Sequence, residues 1–252
     1  MQIPRDPTRP RPPSPADDWA LFLDVDGCLL DFAATPDGAV VDAALRNALA
    51  RLWQRLGGAL ALVSGRSLAT LDAMFAPLRV PAAGLHGLER RHGDLHADMR
   101  PVPSKLAQVR EAAQSIARKY PGTVVEDKGV ALALHWRADP LAATDFEGLA
   151  ATAAMELPDY HLQHGDHVVE LRPAGANKGD AIAGFLDEPP FRGRPPVFAG
   201  DDLTDEHGFE TINACGGLSI LVGAREPSAA RFGLRDVAEV RAWLGVENGN
   251  QV

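Results

Sequence analysis

Asp24 and Asp26 stand one residue apart at the end of the strand-like stretch Ala20 to Val25, and Gly27 follows them. Burying a lone charge is costly, so such a pair is kept where solvent, a metal or an incoming ligand compensates it. Other chemistry-bearing residues also follow apolar strand-like runs: Ser64-Gly65-Arg66, and the stretch from Gly200 through Asp201, Asp202, Leu203 and Thr204 to Asp205. Lys178 opens a helical stretch after Gly175-Ala176-Asn177. Carboxylates from two strands suit Mg2+, a hard cation that takes a few carboxylates, waters and phosphate oxygens. Ser64 and Lys178 suit a phosphate, as hydrogen-bond donor and point charge. A carboxylate can also attack phosphorus and divide one hard displacement into two easier ones. Asp24 fits that role. Two residues on, Asp26 fits a general acid that protonates the leaving alcohol and then a general base for water.

Each element alone has an ordinary reading. Asp-x-Asp-Gly is a common acidic turn, Ser-Gly punctuates strand-to-helix junctions, a helix lysine is usually solvated, and acids favour helix starts. Their joint order, each directly after an apolar strand, is what points to a site.

The elements that must position these residues alternate. A helix over Asp42 to Leu56, stopped by Gly57 and Gly58, lies between apolar runs Ala20 to Val25 and Ala59 to Val63. The pattern resumes with a helix Lys178 to Leu186, strand Pro196 to Ala199, helix Thr204 to Asn213 and strand Leu218 to Val222. This predicts an α/β fold with a doubly wound parallel sheet, whose ligand site lies at the carboxyl ends of the strands. The middle differs. A helix capped by Ser104 runs to Tyr120, a hairpin turns at Lys128-Gly129, a helix spans Leu141 to Met155, and a second hairpin turns at Gly165-Asp166. The insert therefore reads α-β-β-α-β-β, an antiparallel sheet with two helices.

At 252 residues and 46% hydrophobic content the chain can build a substantial core and two domains. A net charge of -9 argues against phosphate contacts to nucleic acid and for a small substrate. The two cysteines, Cys28 and Cys215, give no disulfide framework and suit a reducing compartment, so the cytoplasm is expected. No apolar run reaches membrane-spanning length. The first sixteen residues hold six prolines and no apolar core, which predicts a disordered tail.

These motifs resemble the haloacid dehalogenase superfamily of phosphatases, and the stretches GLHGLERR, VEDKGVALALHWR, VVELRPAGANKGDAI and FAGDDLTDEHGFE are similar to its trehalose-6-phosphate phosphatase family, from about Trp19 to Leu244. The resemblance implies an Mg2+-dependent phosphatase that hydrolyses trehalose 6-phosphate through an aspartyl-phosphate, the final step of trehalose biosynthesis. It implies nucleophile Asp24, acid/base Asp26, phosphate ligands Ser64, Gly65 and Lys178, and a metal held by Asp24, the Asp26 carbonyl and Asp201. Asp202 and Asp205 are implied as further ligands or supports. The insert, residues 101–171, becomes an α/β cap over a core of residues 17–100 and 172–252. Its Glu126, Lys128 and Glu170 are implied sugar contacts, with Arg66 and His86 as further substrate-side candidates. His135 and His167 read as hydrogen-bonded sheet residues. Cys28 stands where the family usually has Thr, a weaker donor in place of a hydroxyl. A monomer is expected.

Two alternatives remain at this point. One keeps the chemistry and changes the substrate to sucrose phosphate or a glycosyl-glycerate phosphate. The other is a receiver-like phospho-sensor, against which stand Asp26, which promotes turnover, and the insert, which a receiver does not need.

Overall fold

Strand β1 (Ala20–Leu23) is buried along its whole length in the computed structural model. A strand apolar on both faces needs cover on both, which helices flanking a parallel sheet supply. The structure describes residues 9–32, 38–92, 95–96 and 102–246. After β1 come α1 (Ala43–Arg55), β2 (Leu60–Val63), α2 (Leu68–Phe75), β3 (Ala82–Gly84), β4 (Glu89–His92) and β5 (Leu95–His96). Then follow α3 (Ser104–Ala117), β6 (Val124–Asp127), β7 (Leu132–His135), α4 (Ala143–Glu156), β8 (Tyr160–Gly165) and β9 (Val168–Pro173). The chain closes with α5 (Lys178–Leu186), β10 (Pro196–Gly200), α6 (Glu206–Ala214), β11 (Leu218–Val222), β12 (Phe232–Leu234) and α7 (Val237–Trp243). It divides into two compact units, Met1–Ala33 with Ala39–Ala97 and Asn177–Val252, and Ala34–Gly38 with Asp98–Ala176.

Among the described residues the first unit carries an eight-stranded sheet in the order β12-β11-β10-β1-β2-β3-β4-β5. Its strands are parallel from β12 to β3, and β4 and β5 add an antiparallel edge. The chain builds outward from β1 in one direction with β2 and β3, and in the other with β10, β11 and β12. The strand order therefore reverses between β1 and β10, where open α/β sheets place their ligands. Phe22 of β1 stacks on Phe191 with ring centroids 5.4 Å apart and lies 6.0 Å from Phe185 of α5, while Phe198 of β10 meets Phe209 of α6 at 5.5 Å.

Among the described residues the second unit carries a four-stranded antiparallel sheet, β6-β7-β9-β8, with both expected hairpins present. One face supplies Leu132, Leu134, Val169 and Leu171 to a core shared with Leu106 and Val109 of α3 and Phe146 and Ala150 of α4. Alternation puts the next row, Glu126, Ala133, Glu170 and Gln163, on the opposite face.

Several local expectations shift. Asp42 is the N-cap of α1, its carboxylate accepting from Leu45 N at 2.8 Å, so the helix starts one residue later than its signal. Ser104 does not cap α3: Pro103 occupies the cap position without a side-chain hydrogen bond, and Ser104 is the first helical residue. The stretch after Asp202 winds first as a 3-10 turn, Leu203–Asp205, because Asp202 and Asp205 form a reciprocal capping box. The proline-rich segment, expected as a disordered tail, is held to the first unit from residue 9 onward. Arg9 donates to Ala230 O and pairs with Glu226, Gly233 N donates to Pro10 O at 3.0 Å, and Trp243 Nε1 donates to Pro13 O at 2.7 Å. Prolines keep carbonyl acceptors, and the edge of the unit supplies donors. Residues 1–8 lie outside the described residues. No helix among the described residues is long and apolar enough to cross a membrane.

Candidate active site

The carboxyl end of β1 delivers Asp24, whose backbone N donates to Ala199 O of the neighbouring β10 at 2.9 Å. Gly27 turns the chain immediately afterwards at φ 79°, and a Cβ at that position would stand 2.2 Å from a carboxylate oxygen of Asp201. Only glycine meets both demands. The Asp24 and Asp201 carboxylates are thereby brought together from two adjacent strands.

Lys178, first residue of α5, is buried, and its helix is capped by Asn177, which accepts from Asp180 N at 3.0 Å. Its ammonium donates to Asp24 Oδ1 at 2.8 Å and to Asp205 Oδ1 at 2.7 Å. The other oxygen of Asp205 accepts from Asp201 N at 2.9 Å and Asp202 N at 3.0 Å. Asp205 thus fixes both the lysine and the loop that carries Asp201. Asp202 turns to its own loop, accepting from Thr204 N at 2.8 Å and Thr204 Oγ1 at 2.6 Å.

Two carboxylates share one ammonium here, with Asp201 and Asp202 within reach of its charge, and the electrostatics show it. Burial pushes Asp24 well above the usual carboxylate range, Lys178 opposes that, and Asp201 and Asp202 add to it. Burial and the charges of Asp205 and Asp202 push Asp201 up to about 8. Asp205 is also raised, by burial foremost. Burial alone would lower Lys178, but Asp205 and Asp24 outweigh it and hold the ammonium well above its ordinary value. Burial acts against ionised Asp202 as well, yet Lys178 and the Thr204 hydrogen bond bring its carboxyl below the usual range.

Asp24, Asp201 and Asp205 each offer an oxygen within 4.8 Å of the others. Asp201 Oδ1 is buried and has no hydrogen-bond partner among the described residues. An orphaned carboxylate oxygen among repelling neighbours is what a divalent cation would satisfy, and an all-oxygen donor set suits a hard one. With both Asp205 oxygens engaged, Asp24 and Asp201 are the members best placed to ligate.

At the end of β2, Ser64 is buried, and its Oγ accepts from Arg66 N at 3.1 Å. The Arg66 guanidinium reaches Asp26 with Nε to Oδ2 at 2.7 Å and a terminal nitrogen to Oδ1 at 2.7 Å. After β3 the chain takes three consecutive positive φ angles, Leu85 at 49°, His86 at 56° and Gly87 at 106°. His86 N donating to Ser64 O and Leu85 N donating to Arg66 O, both at 2.9 Å, hold that turn. The turn sets the buried His86 ring over Gly65, where a Cβ would stand 2.6 Å from Nε2. Such backbone is retained where the surroundings over-determine it, often at functional sites.

The first unit thus gathers Asp24, Asp26, Ser64, Gly65, Arg66, His86, Lys178, Asp201, Asp202 and Asp205 at one edge of its sheet. Glu126, Lys128 and Glu170 lie in the second unit and form their own cluster. Lys128 Nζ donates to Glu170 Oε2 at 3.0 Å, and His135 Nε2 lies 2.9 Å from Glu126 Oε2. Glu126 is lowered overall: burial acts to raise it, and the His135 hydrogen bond and Lys128 prevail. Glu126 and Glu170 flank Ala133 in one row, two strands and so about 10 Å apart. His167 pairs with Asp166 at 2.7 Å at an exposed turn. Cys28 is buried with Sγ 3.5 Å from Ala199 O, and burial, with Asp24 and Asp201, pushes its thiol up, which suits an inert residue.

Asp202 and Asp205 are expected alike as further ligands or supports; Asp205 joins the buried cluster, while the Asp202 side chain caps its own loop. The signal was the i, i+3 spacing of a capping box, legible only once the turn was known. Sequence reasoning assigned Arg66 to substrate and gave no sign that it meets Asp26.

A family model described as trehalose-phosphatase matches residues 22–238. The chain is 45% identical over 224 residues to a protein from Sinorhizobium fredii (strain NBRC 101917 / NGR234) named probable trehalose-phosphate phosphatase, covering 88% of this chain and 84% of that one. It is 41% identical over 227 residues to the trehalose-6-phosphate phosphatase of Escherichia coli (strain K12), covering 90% and 85%. The solved C-terminal domain of Candida albicans trehalose-6-phosphate phosphatase superposes with a TM-score of 0.80 at 21% identity, covering 96% of this chain and 98% of that one, a likeness of fold.

Proposed function

Because the chain belongs to the trehalose-phosphatase family, phosphoric monoester hydrolases of the haloacid dehalogenase superfamily, we propose that it hydrolyses trehalose 6-phosphate to trehalose and phosphate, the final step of trehalose biosynthesis. The observation that carries the chemistry is the buried Lys178 ammonium bonded to Asp24 at the strand switch point, with Asp26 two residues on.

Asp24 attacks phosphorus, and the bond to the sugar oxygen breaks. Asp26 protonates that oxygen, so the sugar leaves as an alcohol and Asp24 carries an acyl phosphate. Asp26, now a carboxylate, takes a proton from water, which attacks phosphorus and releases phosphate with Asp24 restored. Lys178 and the Ser64-Gly65 loop hold the phosphoryl oxygens, and Asp205 keeps Lys178 in place. Asp24 and Asp201, with the Asp26 carbonyl, would hold Mg2+, which when bound supplies positive charge against the phosphoryl oxygens. In the second unit Glu126, Lys128 and Glu170 bind sugar hydroxyls, charged groups whose fixed geometry discriminates among polyols. The free cysteines suit a reducing compartment, and the cytoplasm is the proposed location.

Two results test this reading. Chelation should reduce phosphate release from trehalose 6-phosphate at least about a hundredfold and Mg2+ should restore it, since a metal supplies several kcal/mol of charge stabilisation. Mg2+ should also raise the melting temperature of the wild type and not of Asp201→Asn, by binding the folded chain alone. Equal shifts in both proteins would remove Asp201 from the metal site. Alanine at Glu126, Lys128 or Glu170 should each lower kcat/KM for trehalose 6-phosphate about 30-fold, the scale of a charge-assisted hydrogen bond lost from a desolvated site. A small aryl phosphate should suffer much less. Equal losses on both substrates would place these residues in support of the fold.

A further inference from the structure

Asp26 sits in a loop whose backbone has little freedom left. Gly27 N donates to Leu30 O at 2.7 Å, and Asp26 bridges Leu30. What the backbone does not fix is the rotation of the Asp26 carboxylate about its own side-chain bonds. Among the described residues its side-chain hydrogen bonds come from Arg66 alone, one to each oxygen, at 2.7 Å each. A planar guanidinium meeting a planar carboxylate through two parallel bonds defines the plane of the carboxylate as well as its position.

Arg66 is itself anchored at its base. Its N donates to Ser64 Oγ, its O accepts from Leu85 N, and a Cβ on Gly84 would stand 2.8 Å from that same carbonyl oxygen. Its side chain is 13% exposed and that of Asp26 28%, so the pair is half-buried and still reachable. The fork takes one lone-pair direction on each Asp26 oxygen and leaves one on each for a proton.

We propose that Arg66 is a positioning residue for proton transfer: it orients the Asp26 carboxylate toward the leaving oxygen and then toward water, and it acts through Asp26 rather than by binding substrate itself. This rests on Asp26 as general acid and base. A proton donor misplaced by about 1 Å loses up to about 10² in rate, and general acid catalysis is worth about 10² to 10⁴, so a misoriented Asp26 forfeits much of its effect. The loss must depend on the leaving group. A sugar oxygen needs a proton as it leaves; a nitrophenolate does not.

The test uses the Mg2+-loaded enzyme with trehalose 6-phosphate and p-nitrophenyl phosphate. Arg66→Met keeps the packing of the stem, and Arg66→Lys keeps the charge without the fork. Arg66→Met should lower kcat/KM for the sugar phosphate by about 10- to 100-fold, with a loss on the aryl phosphate at least about tenfold smaller. With the aryl substrate a burst of nitrophenol should precede a slow steady state, because attack by water still needs the base. Arg66→Lys should not rescue. In an Asp26→Asn background Arg66→Met should add less than about threefold, since the two residues act as one unit. Equal losses on both substrates, full rescue by lysine, or additive losses in the Asp26→Asn background would each overturn the proposal. Asp26→Asn is expected by itself to hurt the sugar phosphate more than the aryl phosphate. Absence of that split would overturn the acid/base reading of Asp26, a result distinguishable from an additive Arg66 effect on an intact Asp26.

Discussion

Asp24→Asn removes turnover: phosphate release from trehalose 6-phosphate is expected to fall by about 10⁴-fold or more, the scale of deleting a covalent nucleophile. The amide has nearly the volume of the carboxylate, and its oxygen can still accept from Lys178, so the loss is chemical. The fold should not suffer. Asp24 is raised by burial and by Asp201 and Asp202, and a neutral group there relieves a repulsion the native chain carries. The variant should therefore melt at or above the wild-type temperature in chelator. Rapid acid quenching with labelled substrate should trap phosphoprotein from the wild type and none from the variant. Residual activity above a few per cent would move the nucleophile elsewhere.

Lys178→Met should damage activity and stability together. Deleting one member of a buried ion cluster leaves uncompensated charge and costs about 3 to 5 kcal/mol. The lysine contacts Asp24 and Asp205 directly, so kcat/KM should fall at least about 10³-fold with it, through lost charge stabilisation of the phosphoryl group. The pH dependence has a definite sign. Both carboxyls already lie above their unfolded values, and losing Lys178, which opposes that rise, lifts them further. Between the unfolded value near 4 and the raised folded values, the folded chain binds more protons than the unfolded one, so stability falls as pH rises through that window. Urea unfolding in chelator should show a larger deficit against wild type at pH 8 than at pH 5. An equal deficit at both would mean that the cluster carries no net negative charge once the lysine is gone.

The amino-acid sequence by itself determined which residues end strands. Apolar runs of four to six residues must be buried on both faces, which makes them parallel strands, and the first polar residues after them fall at the carboxyl edge. Asp24, Ser64 and Asp201 are accordingly the residues that follow β1, β2 and β10. The two glycine-centred hairpins were legible for the same local reason. Much less legible were the short elements α2, β3, β4, β5 and β12: a strand such as Ala82–Gly84 is too brief to show a period, and Glu89–His92 reads as a charged loop until its edge position is known.

What only the tertiary structure decided is partnership. A sequence gives the order of strands along the chain and is silent on their order in the sheet, so nothing local says that β10 lies beside β1 and brings Asp201 against Gly27. The same holds for Asp205, whose oxygens divide between Lys178 and the loop amides, and for Arg66, whose fork closes on Asp26 across 40 residues of chain. Local spacing fixes where a side chain starts. Which group it meets depends on strand neighbours, on turns such as that of His86 with its positive φ, and on the competition of several charges for one ammonium, and those exist only once the chain has folded.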